Sequence, residues 1–261
     1  MTLRNRPLET IERTRTETTA VVTGGARGFG KAFGTALADE GATVVLIDVD
    51  ESAVQKAAAD IRASGGSAIG VVGDAADETA MAAIMAEASA VNGGIDVLIN
   101  NAGLHSDEYS KPIGELGLPK TRRLFEVNVV GVIACTVAAH PHMAHRDGAS
   151  IVNIASAAAH LGGTAYGTSK LAVAGLTITF ARELGADGIR VNAISPGMIF
   201  TDTIRAELPE EVKARVKAMQ LIDIDGAESD VVEAMLFLTS GRARFITGET
   251  LRVTGGMAAG T

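Results

Sequence analysis

Residues 20–30 read A-V-V-T-G-G-A-R-G-F-G, and residues 44–48, one helix length later, read V-V-L-I-D. The first run is a short apolar strand pattern that passes at Thr23 into glycines and then opens an amphipathic stretch reaching Glu40. Glycine, lacking a Cβ, permits the tight turn and lets backbone N–H groups approach an anion, whose charge is favoured at a helix N-terminus. The second run ends on Asp48, eighteen residues after Gly30. Strand, glycine turn, helix and strand-end acid, in that order, describe a dinucleotide site. Gly24, Arg27, Gly28, Phe29 and Gly30 would surround the pyrophosphate, and Asp48 would accept hydrogen bonds from the adenosine ribose. A carboxylate there repels a 2′-phosphate, so NAD is expected in preference to NADP; Arg27, a cation on the same loop, argues the other way and is outweighed.

The alternation continues outward. A-I-G-V-V-G (68–73) precedes a helical pattern over 77–92, and T-V-V-L-I-D (43–48) precedes one over 51–63. I-D-V-L-I-N (95–100) leads into a long helical run ending near Pro141, S-I-V-N-I-A (150–155) into a helix over 165–184, and I-R-V-N-A-I (189–194) into a closing helix and strand. Strands that are apolar throughout and separated by helices imply a parallel sheet covered on both faces. No internal repeat, low-complexity tract or long linker interrupts the pattern, so one domain is expected over 18–261, behind a polar arm at 1–17 read as a loose arm or an oligomer contact.

Composition agrees. Of 261 residues 47% are hydrophobic, ample for one large core, and with no tryptophan and 3% aromatics Ala, Val, Ile and Leu must fill it. The net charge of −8 disfavours nucleic acid and anionic membranes as partners. No apolar run is long enough to read as a membrane span, and the N-terminus has no hydrophobic stretch for secretion. A cytoplasmic location is therefore expected. The single cysteine, Cys135, has no His or Lys beside it in sequence and is read as a packed small hydrophobe.

Tyr166 and Lys170 stand four apart, so on the helix expected over 165–184 they share a face. A cation beside a phenol favours phenolate, and moving a tyrosine from its ordinary pKa near 10 about two units down needs roughly 3 kcal/mol of differential stabilisation. Such a group exchanges a proton with an alcohol at working pH.

Together these motifs resemble the short-chain dehydrogenase/reductase family in its compact single-domain branch. The resemblance covers residues 18–257 and rests on an ordered set: T-G-G-A-R-G-F-G, Gly73-Asp74, N-N-A-G at 100–103, Asn128 in F-E-V-N-V-V-G, Ser156, Tyr166 with Lys170, and P-G-M-I-F-T at 196–201. It implies a doubly wound (Rossmann) α/β fold with a seven-stranded parallel sheet. It also implies four catalytic residues. Tyr166 is the general acid/base on the substrate oxygen, and Lys170 lowers its pKa and binds the nicotinamide ribose. Ser156 holds the substrate oxygen, and Asn128 holds a water that relays protons past Lys170. For the cofactor, Asp74 with Ala75 meets the adenine, Asn101 the adenosine ribose region, and Ala102 and Gly103 permit close approach. Pro196, Gly197, Ile199 and Thr201 clasp the nicotinamide. No metal is implied. The implied reaction is reversible hydride transfer between NAD and a secondary alcohol or ketone, in a homotetramer built through the helices near 120–145 and 166–185 and the closing helix and strand.

Two features depart from the family pattern. Ser156 precedes Tyr166 by ten positions, a shortened connection that should tighten the pocket wall, and choosing Ser156 over Ser150 rests on its place at a strand end. The loop after N-N-A-G is long and polar, offering His105, Asp107 and Tyr109 as substrate contacts. His140, His142 and His145 cluster in sequence, but Pro141 interrupts their helical spacing and no carboxylate or cysteine adjoins them. Residues 201–225 carry Ile204, Leu208, Val212, Val216 and Met219 at helical spacing, as expected of a substrate lid. The candidate pocket residues His160, Leu161, Met198, Phe200 and Ile204 are largely apolar and point to a small cyclic or hydrophobic alcohol. The rival readings are an NADPH-dependent ketone or ketoacyl reductase, a dinucleotide-binding sensor without turnover, and an epimerase or dehydratase that keeps its NAD. The intact Ser, Tyr, Lys and Asn set disfavours the sensor, and the compact glycine loop disfavours the epimerase.

Overall fold

A computed structural model of the chain describes residues 15–105, 108–199 and 210–258. Seven parallel strands form one sheet in the order β3-β2-β1-β4-β5-β6-β7. They are β1 (Thr19–Thr23), β2 (Thr43–Asp48), β3 (Ser67–Val72), β4 (Val97–Asn100), β5 (Ser150–Ile154), β6 (Arg190–Pro196) and β7 (Thr250–Val253). Between β1 and β4 follow α1 (Gly28–Asp39), α2 (Glu51–Ala63) and α3 (Glu78–Ser89). After β4 come a short α4 (Ile113–Leu116), α5 (Leu118–Phe125), a π-helical turn at Glu126–Val130, and α6 (Gly131–Met143). A short α7 (Ala158–Leu161) and the long α8 (Ala165–Leu184) precede β6; α9 (Glu210–Lys217) and α10 (Glu228–Thr239) precede β7.

The central strands are buried along their whole length because each side chain meets a helix on one face or the other. Ala20 and Val22 pack with Phe33, Leu37, Leu46, Ile61 and Met235 on the α1, α2 and α10 side. Val21, one step out of phase, packs with Met81, Leu98, Met143, Ile151 and Phe180 on the α3, α6 and α8 side. Asp50, Asp77 and Thr164 start α2, α3 and α8 by accepting the N–H groups of Ala53, Ala80 and Gly167 at 3.1, 3.0 and 2.9 Å. Cys135 lies in the core, its thiol pushed up to about 12 by burial, as a packed hydrophobe would be.

The helix expected to end near Pro141 ends at Met143, with the proline inside it, and two other expectations change. Pro141 can donate nothing to the carbonyl of Val137, one turn back, and Val137 lies on an exposed face of the helix. The stretch Leu118–Met143 is long and apolar enough to cross a membrane, contrary to the sequence reading, yet 50% of its most apolar window is buried against the domain, as in a core helix. The arm expected at 1–17 lies outside the described residues up to residue 14. Arg15, its next residue, is docked: its backbone N–H meets Glu40 O at 2.8 Å, and its guanidinium pairs with the Glu40 carboxylate and reaches Thr239 Oγ1 at 2.8 Å.

β1 and β4 are neighbours whose outgoing connections cross to opposite sides, so a crevice opens beyond their C-terminal ends. The glycine turn and the N-N-A-G segment both lie there.

Candidate active site

The floor of the crevice is sewn together by Thr23 and Asn101. Thr23 Oγ1 accepts the N–H groups of Asn101 and Ala102, both at 3.1 Å, and Asn101 Nδ2 donates to Thr23 O and Gly24 O at 3.0 Å. Gly24 and Gly28 have φ of +63° and +50°, a region that favours glycine. Arg27 stands at the N-cap of α1 and makes no side-chain cap, and the first turn carries no acid, so the α1 N-terminus keeps its donors for an anion. Asp48 reaches in from β2, Oδ2 accepting from Ala26 N at 3.2 Å and Oδ1 from Asp50 N at 3.1 Å. The residues present thus fit a dinucleotide: a bare anion-receptive turn with a fixed carboxylate beside it.

Two adenine-side expectations look different in three dimensions. The Asn101 amide, expected near the adenosine ribose, is committed to bracing the glycine turn. Asp74 accepts from Ala76 N at 3.0 Å and pairs with Arg123 of α5 at 3.1 Å. Burial works to raise the Asp74 carboxyl, but these two partners outweigh it and hold the group below the usual range. Ala75 lies beside it in the core, its carbonyl taking the Cys135 thiol at 3.6 Å.

On the other side of the crevice, β5 delivers Ser156 just past its end, and α8 delivers Tyr166 and Lys170 from its first turns. Ser150 lies at the opposite end of β5, fully buried, so the two serines are separated as the strand-end argument expected. The short connection between Ser156 and Tyr166 folds as α7. Gly167 makes the close packing possible, since a Cβ there would sit 2.5 Å from Ala158 O. The Tyr166 phenol hydrogen-bonds Ser156, while Lys170 Nζ lies 5.8 Å from the ring centroid and donates to Ile154 O at 2.7 Å.

The electrostatics correct the sequence reading. Tyr166 is held above the ordinary phenol value because burial dominates, with the Ser156 hydrogen bond pulling the other way. Burial also pushes Lys170 down, to about 8. Four-residue spacing put the ammonium against the ring face and gave the phenol oxygen a different partner, and both groups leave water.

Asn128 sits at the centre of the π-helical turn, fully buried. Its Oδ1 accepts Leu104 N at 2.7 Å, and its Nδ2 donates to Leu104 O and to Ser169 Oγ, both at 3.1 Å. A Cβ on Gly103 would be 3.3 Å from both Asn128 Oδ1 and Lys170 Nζ, so the bare backbone at 103 separates them. Ser169 was not foreseen; it directly precedes Lys170, and no spacing rule marks it.

His105 follows the clamped Leu104. Its imidazole is held below its ordinary value by burial and then by the positive charges of Lys170 and Arg27. His160, on α7, is lowered by burial and by Arg252. Tyr109 packs with Leu104, Leu116, Leu124 and Ala165, and its carbonyl receives the Tyr166 N–H at 3.2 Å, making it a prop for the catalytic helix. Asp107 lies outside the described residues.

Pro196 ends β6, and Gly197 packs against Thr254, where a Cβ would meet Cα at 2.9 Å. Ile199 is buried in the core, Met198 is half-buried and Leu161 is exposed. Thr201, Phe200, Ile204 and Leu208 lie outside the described residues, as do the side chains of Val212 and Val216, so of the expected lid only α9 and the segment after it are described. That segment is tied back by Leu221 N to Gly255 O at 2.7 Å. The sequence reading found no carboxylate near the histidine cluster, but the fold brings one: Asp187 lies 2.7 Å from His140 Nε2 and 3.9 Å from His145 Nε2.

Comparison with known proteins agrees with this geometry. A family model described as enoyl-(acyl carrier protein) reductase matches residues 24–258. An uncharacterized oxidoreductase of Mycobacterium tuberculosis is 42% identical over 91% of this chain and 96% of its own length. The cis-4-hydroxycyclohexanecarboxylate dehydrogenase of Sinomonas cyclohexanicum is 40% identical over 93% of this chain and 97% of its own. Among solved structures, a short-chain type dehydrogenase/reductase from Mycobacterium ulcerans superposes with a TM-score of 0.87 at 30% identity, covering 93% of this chain and 90% of that one.

Proposed function

The chain belongs to the short-chain dehydrogenase/reductase family of oxidoreductases, and from that premise we propose that it transfers hydride reversibly between NAD and a small secondary alcohol or its ketone. The observation that carries the reading is the Ser156–Tyr166 hydrogen bond with buried Lys170 against the ring, across the crevice from the glycine turn.

A bound nicotinamide supplies the hydride acceptor or donor. The chain supplies the proton chemistry and the geometry. In oxidation the Tyr166 oxygen takes the hydroxyl proton; in reduction it returns one to the substrate oxygen. Ser156 steadies that oxygen by hydrogen bonding, and the Lys170 charge stabilises negative charge building there. Asp48 and the α1 N-terminus would hold the adenosine half, and Pro196–Ile199 would border the nicotinamide.

A cyclic or hydrophobic alcohol is the substrate class to test first. Leu161, Met198 and His160 support it, as does the resemblance to a dehydrogenase named for a hydroxycyclohexanecarboxylate. A homotetramer is the assembly this reading carries, supported by the apolar residues Val130, Val137, Leu171 and Ile178 left exposed on the helices around α6 and α8. One observation favours the rival NADPH-dependent reductase: Arg27, exposed at the turn, could receive a 2′-phosphate.

The test is NADH absorbance followed across a panel of secondary alcohols, with Tyr166→Phe alongside. Turnover by the wild-type chain should fall about 10²–10⁴-fold in the variant. A Tyr166→Phe protein as active as wild type defeats the mechanism.

A further inference from the structure

Residues 74–76 follow β3, and one helical run holds them from three positions. Gly73 N–H donates to Asp48 O at 3.0 Å, so the segment begins beside the strand-end acid of β2. Arg123 of α5 donates to Asp74 Oδ2 at 3.1 Å. Gly131 of α6 packs on the Ala75 carbonyl, where a Cβ would lie 3.4 Å from the oxygen, and Cys135 Sγ meets the same oxygen at 3.6 Å.

Gly131 and Cys135 are one turn apart and share a face of α6. Arg123 stands eight positions before Gly131, which in a regular α-helix would set it about 80° round the axis. The π-helical turn at Glu126–Val130 takes up one extra residue, so the eight steps act as about seven and the offset falls to roughly 20°. That turn therefore swings Arg123 onto the face that meets Asp74.

Asp74 becomes an oriented acceptor. Oδ1 takes the Ala76 N–H at 3.0 Å and Oδ2 takes Arg123, which leaves about half of the roughly four lone-pair sites of the carboxylate for another donor. The same two partners keep it ionised against its burial.

We infer that Arg123 is a positioning residue for the coenzyme: it fixes the Asp74 carboxylate to receive the 6-amino group of adenine and to reject a base carrying an oxygen there. The inference rests on the dinucleotide reading above and deepens it, since Asp74 then reads the identity of the base. The pair is partly exposed, 51% at Arg123 and 36% at Asp74, so it adds little to folding and its loss should leave the fold intact.

The test compares wild type, Arg123→Gln and Arg123→Lys in thermal melting and in calorimetric titration with ADP-ribose and with its hypoxanthine counterpart, inosine diphosphate ribose. Wild type should bind ADP-ribose the more tightly. Arg123→Gln should narrow that preference about 2- to 5-fold, the coupling of a partly exposed ion pair, by weakening ADP-ribose alone. Arg123→Lys, which keeps the charge, should recover part of it. In turnover the loss should fall on KM for NAD rather than on kcat. An Arg123→Gln protein that loses both ligands equally, or neither, overturns the inference, as does a wild type indifferent to the base. So does a variant that melts far below wild type, because the pair is then a structural tie. A wild type that binds neither ligand refutes the dinucleotide reading itself, and the role of Arg123 with it.

Discussion

Gly28 and Gly30 stand two residues apart in the same turn, and the structure predicts opposite consequences for adding a methyl group to each. At Gly30 a Cβ would press into the Gly24 carbonyl oxygen and lie 2.7 Å from Asn101 Nδ2 and 2.8 Å from the Gly24 carbonyl carbon. That carbonyl cannot swing aside without losing the bond it accepts from Asn101 at 3.0 Å, and Asn101 is tied to Thr23 as well. Overpacking of this kind costs about 1–3 kcal/mol. Adding one lost hydrogen bond of about 0.5–1.5 kcal/mol gives about 2–4 kcal/mol for Gly30→Ala. For a domain of this size that lowers the melting temperature by roughly 5–15 °C. At Gly28 a Cβ meets nothing within 4 Å, and only the φ of +50° resists it. Gly28→Ala should cost about 1 kcal/mol, or roughly 2–4 °C. Its methyl group would stand on the open side of the turn, where the pyrophosphate is proposed to lie. Losing one charge-assisted hydrogen bond there weakens NADH binding about 10-fold or more. Calorimetry supplies both quantities, by scanning for stability and by titration for NADH. Gly30→Ala melting with the wild type, or Gly28→Ala binding NADH as tightly as the wild type, would refute the reasoning.

Asp48→Ser removes the carboxylate that would repel a 2′-phosphate while keeping one acceptor for Ala26 N; the ratio of kcat/KM for NADP over NAD should rise about 10- to 100-fold, and an unchanged ratio would show that Asp48 does not select the coenzyme. Lys170→Met should abolish turnover yet melt above the wild type at pH 7, because the folded-state pKa of Lys170 is pushed down from 10.5 to about 8. Below pH 8 both folded and unfolded chains hold the proton, and the buried charge opposes folding in full. Between about 8 and 10.5 the folded chain sheds its proton first and the wild type gains, so the gap should close across that window; a gap that stays constant there contradicts the assignment.

What could be read in the sequence was what is decided locally. The helix Ala165–Leu184 has the boundaries expected of it, since Thr164 caps it and the turn at Gly185 ends it. Asp50 and Asp77 announce their helices for the same reason. The π-helical turn was invisible, because F-E-V-N-V-V-G has the apolar spacing of an ordinary helix and the extra residue is accommodated only when Asn128 finds Leu104 and Ser169. The bracing bonds of Asn101 were hidden for a related reason: a side-chain amide near the end of a strand says nothing about which carbonyls the neighbouring turn will bring to it. The Asp187 carboxylate met His140 only because α6 and the end of α8 are adjacent in the fold.

The larger discrepancy lies at Tyr166, where spacing establishes adjacency and cannot report burial. Burial moves the two groups in opposite directions on the pH scale, the phenol up from 10.0 and the ammonium down from 10.5, so each approaches its neutral form. A neutral phenol is the form needed to give a proton to a ketone, and it is ready in this chain at neutral pH. In the proposed mechanism the phenolate for alcohol oxidation is drawn out by whatever charge Lys170 retains and by the Ser156 hydrogen bond. The orientation of every dipole around Lys170 therefore matters more than it would for an exposed lysine. The Ile154 carbonyl, which accepts from Lys170 Nζ at 2.7 Å, is therefore as much a part of that charge's setting as the four-residue spacing on the helix.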